Sequence, residues 1–171
     1  MAKLPHLSTL EYGVTQNNSF VEYLDSKFGT LEVCAEQDGV TSIHFVQDKS
    51  KTSKRCFFTQ QAVEQLVEYF AGKRTQFDLR LNAQGTAFQH QVWKALSTIQ
   101  YGKTCSYADI AKSINNPKAV RAVGAANGRN PLTIVVPCHR VIGSDGTLTG
   151  YAWGTSIKAG LLDLEQAPYS I

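Results

Sequence analysis

A thiol stands next to an imidazole in the run Pro137-Cys138-His139-Arg140-Val141-Ile142-Gly143. A cysteine attacks only as its thiolate, and a neighbouring His, a basic residue such as Arg140 or a helix N-terminus can lower its pKa from about 8.5 into the reactive range. The preceding Leu132-Thr133-Ile134-Val135-Val136 is apolar and β-branched, which predicts an inner extended segment, and Pro137 fixes the chain direction before the thiol. Cys138 is therefore expected on rigid backbone. On an extended segment adjacent side chains point to opposite faces, so His139 needs a turn, or a water and a third group, to reach the sulfur. The competing reading of the pair taken alone is a small buried thiol with no chemistry.

The elements upstream tell against that plain reading. In Ser106-Tyr107-Ala108-Asp109-Ile110-Ala111-Lys112-Ser113-Ile114, Ser106 caps a short helix and Asp109 completes a capping box, while Tyr107, Ile110, Ala111 and Ile114 form one apolar stripe. Asn115-Asn116 makes a tight turn and Pro117 opens a second helix, which together read as a helix-turn-helix. In that second helix Val120, Val123, Gly124 and Asn127 share an inward face; Lys118, Arg121, Ala122, Ala125 and Arg129 share the outward one. An ordinary solvated face carries both signs of charge on long side chains. Here acid is absent and the bulk is replaced by alanine, a surface that lets a helix backbone approach a groove while arginine meets phosphate or enters a base stack.

Charge distribution supports nucleic-acid binding better than the net +3 does. Residues 1 to 85 carry nine Lys or Arg against ten Asp or Glu, whereas residues 86 to 140 carry seven against one. Positive potential is thus concentrated on the segment that holds the helix pair and the thiol.

These residues, with Val120-Arg121-Ala122-Val123-Gly124-Ala125-Ala126-Asn127-Gly128-Arg129-Asn130-Pro131 before the thiol and Gly150-Tyr151-Ala152 after it, resemble the O6-alkylguanine-DNA alkyltransferases. The resemblance covers about residues 86 to 166. It implies direct repair of DNA: Cys138 accepts an alkyl group from O6-alkylguanine, with O4-alkylthymine as a second substrate, as an irreversible thioether formed once per molecule. It implies His139 as base through a water, Glu165 as the carboxylate that orients the imidazole, Asn130 as a hydrogen-bonded bridge from the reading helix, and Tyr107 as donor to the departing guanine and contact for phosphate. Double-stranded DNA would be bound through its minor groove by Tyr107, Lys118, Ala119, Arg121, Ala122, Ala125 and Arg129. The lesion base would be flipped out, with Arg121 filling the space it leaves. Pro137, Val141, Tyr151, Ala152 and Trp153 would form the base pocket, with backbone groups of Val141 and Ala152 reading the base edge and Tyr151 stacking beside it. Three residues depart from the family's usual pattern: Trp153 stands where glycine is frequent, Ala152 where some members have serine, and Val120 where alanine is frequent.

Read without the resemblance, Glu165 is an exposed charge on a helix whose Leu161, Leu162 and Leu164 supply core contacts, Arg121 is a phosphate contact, and Asn130 is a turn former before proline. The Gly146 to Ala152 loop is an ordinary surface turn.

The rest of the chain predicts an α+β protein. Three strands are expected at Phe20 to Leu24, Thr30 to Glu36 and Val40 to Val46, with Asp38-Gly39 as a hairpin turn. Val63, Leu66, Val67 and Phe70 mark an amphipathic helix ended by Gly72. A boundary near Leu81 to Gly85 divides an N-terminal domain, residues 1 to 84, from a mainly helical C-terminal domain, residues 85 to 171. The latter opens on a Thr86/Gln89 capping box before a helix through Phe88, Val92, Trp93 and Leu96. The resemblance implies a ribonuclease-H-like N-terminal domain and a winged helix-turn-helix after it.

Cys34, Cys56, Cys105 and Cys138 show no paired spacing and His6, His44, His90 and His139 are scattered, so no metal and no cofactor is expected. A polar N-terminus without a signal-peptide core, and no apolar stretch of bilayer length, lead to the expectation of a monomer that acts in the cytoplasm with access to DNA and without a membrane. Two alternatives stand beside alkyl transfer. One is a non-catalytic alkyl-lesion sensor or helix-turn-helix DNA-binding regulator with an inert cysteine; the other is a cysteine hydrolase using Cys138, His139 and Glu165.

Overall fold

The computed structural model describes residues 19–171. The expectation about the polar N-terminus falls on residues outside that range. Three antiparallel strands, β1 (Phe20–Ser26), β2 (Gly29–Glu36) and β3 (Gly39–Val46), follow one another in a meander with spatial order β1-β2-β3. Their alternation buries Val21, Leu31, Val33, Ala35, Ile43 and Phe45. The turn between β2 and β3 is Gln37-Asp38, one residue earlier than expected, because Glu36 pairs with Gly39. Gly39 starts β3 at φ +139, and a Cβ there would come within 2.5 Å of the Arg80 carbonyl oxygen, so the site admits only glycine.

Helix α1 (Phe57–Phe70) lies on the sheet through Ala62, Leu66 and Tyr69. The apolar stripe is rotated from the expected one: Val67 is 49% exposed and Tyr69 carries the inward contact. Gly72 at φ +70 ends α1 as expected. Its N–H donates to the Tyr69 carbonyl, and that of Lys73 donates to Glu68, the paired closure of a left-handed helix end.

The chain then runs along the free edge of β3, where Val40 N–H donates to Arg80 O and Asn82 N–H to Val40 O. Helix α2 (Ala87–Leu96) begins with the expected reciprocal cap, Gln89 N–H to Thr86 Oγ1 and Thr86 N–H to Gln89 Oε1. After β4 (Cys105–Ser106), the Ser106/Asp109 box opens α3 (Tyr107–Ser113), and α4 (Val120–Gly128) follows. Asn115 turns the chain at φ 58, a conformation asparagine tolerates, with Asn115 N–H bonded to Lys112 O and Asn116 N–H to Ala111 O. Pro117 does not open α4 as expected. It lies in the turn and Ala119 caps the helix, three residues into the expected element. Trp93 Nε1 donates to Ala126 O at 2.9 Å and locks α4 onto α2.

Val120 is 37% exposed and points outward, leaving Val123, Ala126 and Asn127 as the buried face. Residues 132–136 do not form an extended strand. Leu132 pairs with the edge of β3, through Ile43 N–H to Pro131 O and Thr133 N–H to Ile43 O, and the chain then folds back. Val136 N–H returns to Leu132 O, and Ile134 sits at φ 74. A β-branched residue in the left-handed region costs about 1–3 kcal/mol and persists only where its surroundings enforce it.

A single turn of 3-10 helix (Cys138–Arg140) leads into β5 (Val141–Ile142), which pairs in parallel with β4, and α5 (Thr155–Leu164) closes the chain. The apolar core runs unbroken from Leu31, Ile43 and Leu66 to Val92, Ile110, Val123 and Leu161. Cys138, at the start of the 138–140 turn, belongs to that core, and the turn packs on α5.

Candidate active site

Cys138 is the first residue of that turn and is 5% exposed; His139 is wholly buried. The turn supplies the bend that an extended segment lacks, so both side chains enter the interior. Asn130, just past α4, holds the approach to the thiol by bonding twice across the folded-back loop: Nδ2 donates to Val136 O at 2.8 Å and Oδ1 accepts from Leu132 N–H at 2.9 Å. Asn127 in α4 extends Nδ2 to the Cys138 carbonyl at 3.5 Å. Both asparagines thus tie the helix-turn-helix to the cysteine.

Glu165 is buried, 3% exposed, and is the hub of the site rather than a surface charge. Its Oε1 lies 2.7 Å from His139 Nε2 and accepts from the Tyr69 hydroxyl at 2.6 Å; Arg140 donates from Nε to Oε2 at 2.8 Å and from Nη2 to Oε1 at 3.0 Å. Burial alone would raise the Glu165 pKa. The bonds from His139 and Arg140 outweigh burial and hold it at about 2. The carboxylate is therefore ionised and can only accept, so the proton of neutral His139 resides on Nε2 and Nδ1 carries the free lone pair. Burial lowers the His139 pKa, which keeps the ring neutral, and Nδ1 has no hydrogen-bond partner among the described residues.

The thiol's own ionisation departs from the sequence expectation. Arg140 does not serve it, since its guanidinium is taken up by Glu165 and by the Ile99 carbonyl at 2.6 Å. Burial pushes the Cys138 pKa above its ordinary value, opposed by Asn130, by the charge of Lys158 and by the hydroxyl of Tyr151. At rest the site therefore holds a protonated thiol beside a neutral imidazole. No hydrogen bond joins the sulfur to His139 directly among the described residues, so an intervening group must carry the proton.

Above the thiol is a cavity of about 40 Å³ lined by Tyr107, Asn127, Asn130, Thr133, Tyr151, Ala152 and Trp153 among others. Tyr107 closes one side, its hydroxyl 2.8 Å from Thr149 Oγ1. The structure thus gathers Cys138, Tyr107, Asn130, Tyr151, Ala152 and Trp153 at one place. Pro137 and Val141 do not line it. Pro137 faces a separate groove of about 650 Å³ with Ile99, Tyr101 and Arg140, while Val141 is fully buried and its N–H is bonded to Cys138 O. Arg121, Ala122 and Ala125 are exposed on one face of α4 and Arg129 is exposed at its C-terminal cap; Lys118 is exposed in the preceding turn and Ala119 is half-buried at the N-terminal cap.

Sequence reasoning passed over Lys158 and Tyr69. Lys158 is wholly buried, with Nζ only 3.4 and 3.5 Å from the Thr149 carbonyl and hydroxyl, and burial lowers its pKa to about 8 against the opposing pull of Cys138. The signal was present: Lys158, Leu161, Leu162 and Glu165 recur at helical spacing, which places both charges on the apolar stripe of α5. Among the described residues no group of three or more His, Cys, Asp or Glu is arranged to hold a metal, and no helix is long and apolar enough to cross a membrane.

A buried thiol, imidazole and carboxylate fastened to a basic helix-turn-helix define a protein whose cysteine is served by a DNA-reading element. Residues 87–167 match the family described as 6-O-methylguanine DNA methyltransferase, DNA binding domain, and residues 20–83 match its ribonuclease-like domain. The chain is 45% identical over 153 residues to the methylated-DNA–protein-cysteine methyltransferase of Methanosarcina barkeri, covering 86% of this chain and 97% of the relative. It is 46% identical over 155 residues to the constitutive enzyme of that name from Bacillus subtilis, covering 85% and 94%. Among solved structures, Mycobacterium tuberculosis OGT in complex with DNA superposes with a TM-score of 0.79 at 46% identity, covering 87% of this chain and 95% of that one. The chain belongs to the 6-O-methylguanine DNA methyltransferase family.

Proposed function

We propose that this protein repairs DNA by direct reversal, moving an alkyl group from O6-alkylguanine in a duplex to its own Cys138 once per molecule. The sulfur attacks the alkyl carbon opposite O6, the S–C bond forms as the C–O6 bond breaks, and the bonding pair stays with the guanine. The thiol proton passes through a water to His139 Nδ1 and finally to the base, so that thiol and alkylguanine become thioether and guanine. The Glu165 carboxylate orients the imidazole and stabilises its cationic form. Tyr107, at the rim of the cavity, donates to the departing base, whose developing negative charge is the barrier to its leaving.

The observation that carries this reading is the buried Cys138, His139 and Glu165 assembly held by Asn130 and Asn127 to the end of α4. A hydrolase has no use for that attachment. Arg121, Ala122, Ala125 and Arg129 on the exposed face would meet DNA at the minor groove, with Lys118 and the Ala119 cap beside them, and Arg121 would enter the stack when the base flips out. Tyr151, Ala152 and Trp153 would bound the flipped base. O4-alkylthymine is a second substrate of the same chemistry. The division into residues 1 to 84 and 85 to 171 is supported by the two separate family matches, and the protein is read as a cytoplasmic monomer acting on DNA.

With an O6-methylguanine duplex in excess, one equivalent of guanine should be restored per protein with no further turnover, and Cys138→Ala should restore none. Continued turnover, or full activity without the thiol, would overturn the assignment.

A further inference from the structure

One side chain of the alkyl cavity wall, Trp153, packs on the N-terminal sheet. Trp153 lines the cavity beside Cys138, and its indole Nε1 donates to Thr133 Oγ1 at 3.0 Å. Its ring packs on His44, centroids 5.6 Å apart at 42°, and on Phe45, 6.0 Å apart at 63°. His44 and Phe45 are consecutive on β3 and face opposite sides of the sheet, so an indole that meets both is seated at the strand edge. Thr133 belongs to the same rigid unit, since Ile43 is hydrogen-bonded on both sides to the 131–133 segment. The wall is thereby fixed at its polar end by Thr133 and along its ring by β3.

We propose that His44 and Phe45 of β3 are positioning residues that set the largest alkyl group Cys138 accepts, by holding the Trp153 indole against the cavity. This deepens the alkyl-transfer reading and rests on it. A cavity that takes a benzene ring has a volume of about 150 Å³, whereas the space above the thiol is about 40 Å³. A methyl group asks little of the wall. A benzyl group needs the indole to retreat, and among the described residues the aromatic side chains packed on the ring are His44 and Phe45. His44 is half-buried at the edge, so its removal opens space for retreat without emptying the core; Phe45 is a core residue and is the poorer probe.

The test compares single-turnover rates of the full chain on duplexes carrying O6-methylguanine or O6-benzylguanine. His44→Ala should leave methyl transfer within about two-fold and raise the benzyl-to-methyl ratio about ten-fold, the scale on which small changes in an apolar pocket discriminate substrates. His44→Phe should restore the parent ratio, and His44→Ala added to Trp153→Gly should change the ratio no further. Acrylamide quenching of tryptophan fluorescence gives a readout independent of activity: Trp93 is buried, so His44→Ala should increase quenching through Trp153. An unchanged ratio, or the same increase in the Trp153→Gly background, overturns the proposal. Failure of the parent to transfer either group, with quenching as expected, overturns the functional reading instead.

Discussion

Replacing Glu165 with Gln keeps the shape of the side chain and removes the charge on which four side-chain donations converge. The carboxyl is held at about 2 against an ordinary 4.5. At about 1.4 kcal/mol per pKa unit, that difference contributes about 3 kcal/mol of stability at neutral pH. The folded-state pKa is depressed, so this contribution is complete above pH 4.5 and disappears as pH falls through 2. In the variant Arg140 is left a buried charge without its anion, the same interaction seen from the cation, and breaking such a pair costs about 3–5 kcal/mol. Urea unfolding of both proteins across pH 3 to 7 should therefore show the variant about 3 kcal/mol less stable at pH 7, with the gap closing toward acid. Alkyl transfer should fall by about 10² or more, because an amide no longer fixes the Nε2–H tautomer. A gap below 1 kcal/mol at pH 7, or one that does not narrow on acidification, would refute the hub as described.

Two other outcomes follow from the same electrostatics. Burial keeps His139 neutral below its usual 6.5, so the single-turnover rate should stay level on moving down through pH 6.5 and fall only at lower pH; a midpoint at or above 6.5 would contradict this. Lys158 carries its charge in the interior and is shifted to about 8 from 10.5, so between those values the unfolded chain binds more protons and stability should rise with pH. Lys158→Met should accordingly stabilise the protein by about 1–2 kcal/mol at pH 7, by chemical denaturation, while slowing transfer by weakening the support for the sulfur's negative charge.

Much of this arrangement was legible in the sequence because the signals were local. The Ser106/Asp109 and Thr86/Gln89 boxes name their own helix starts, Gly72 names the end of α1, and alternation names the three strands. Adjacency alone marked Cys138 and His139. Where tertiary structure decided, local reasoning failed. The apolar, β-branched run at 132–136 has strand propensity, yet pairing of Leu132 with β3 and the Asn130 clamp force it back through Ile134 at φ 74. Val120 and Val67 satisfy a helical period but lie on the wrong side of neighbours that periodicity does not see. The Tyr69 bond to Glu165 joins residues 96 apart in sequence, and no spacing rule reaches that far. The thiol's pKa escapes local reasoning for the same reason: Arg140 is next but one in sequence, yet its charge is directed at Glu165.

Only one of the four cysteines has the imidazole and carboxylate assembled beside it. Cys34, Cys56 and Cys105 are free and half-buried, and Cys105 is pushed up to about 11 by burial. Peptide mass mapping after a single exposure to an O6-methylguanine duplex should place one added methyl group on the peptide that contains Cys138 and leave the other three cysteines unmodified. A methyl group on any other residue, or an unmodified Cys138 after the lesion has been removed, would contradict the account.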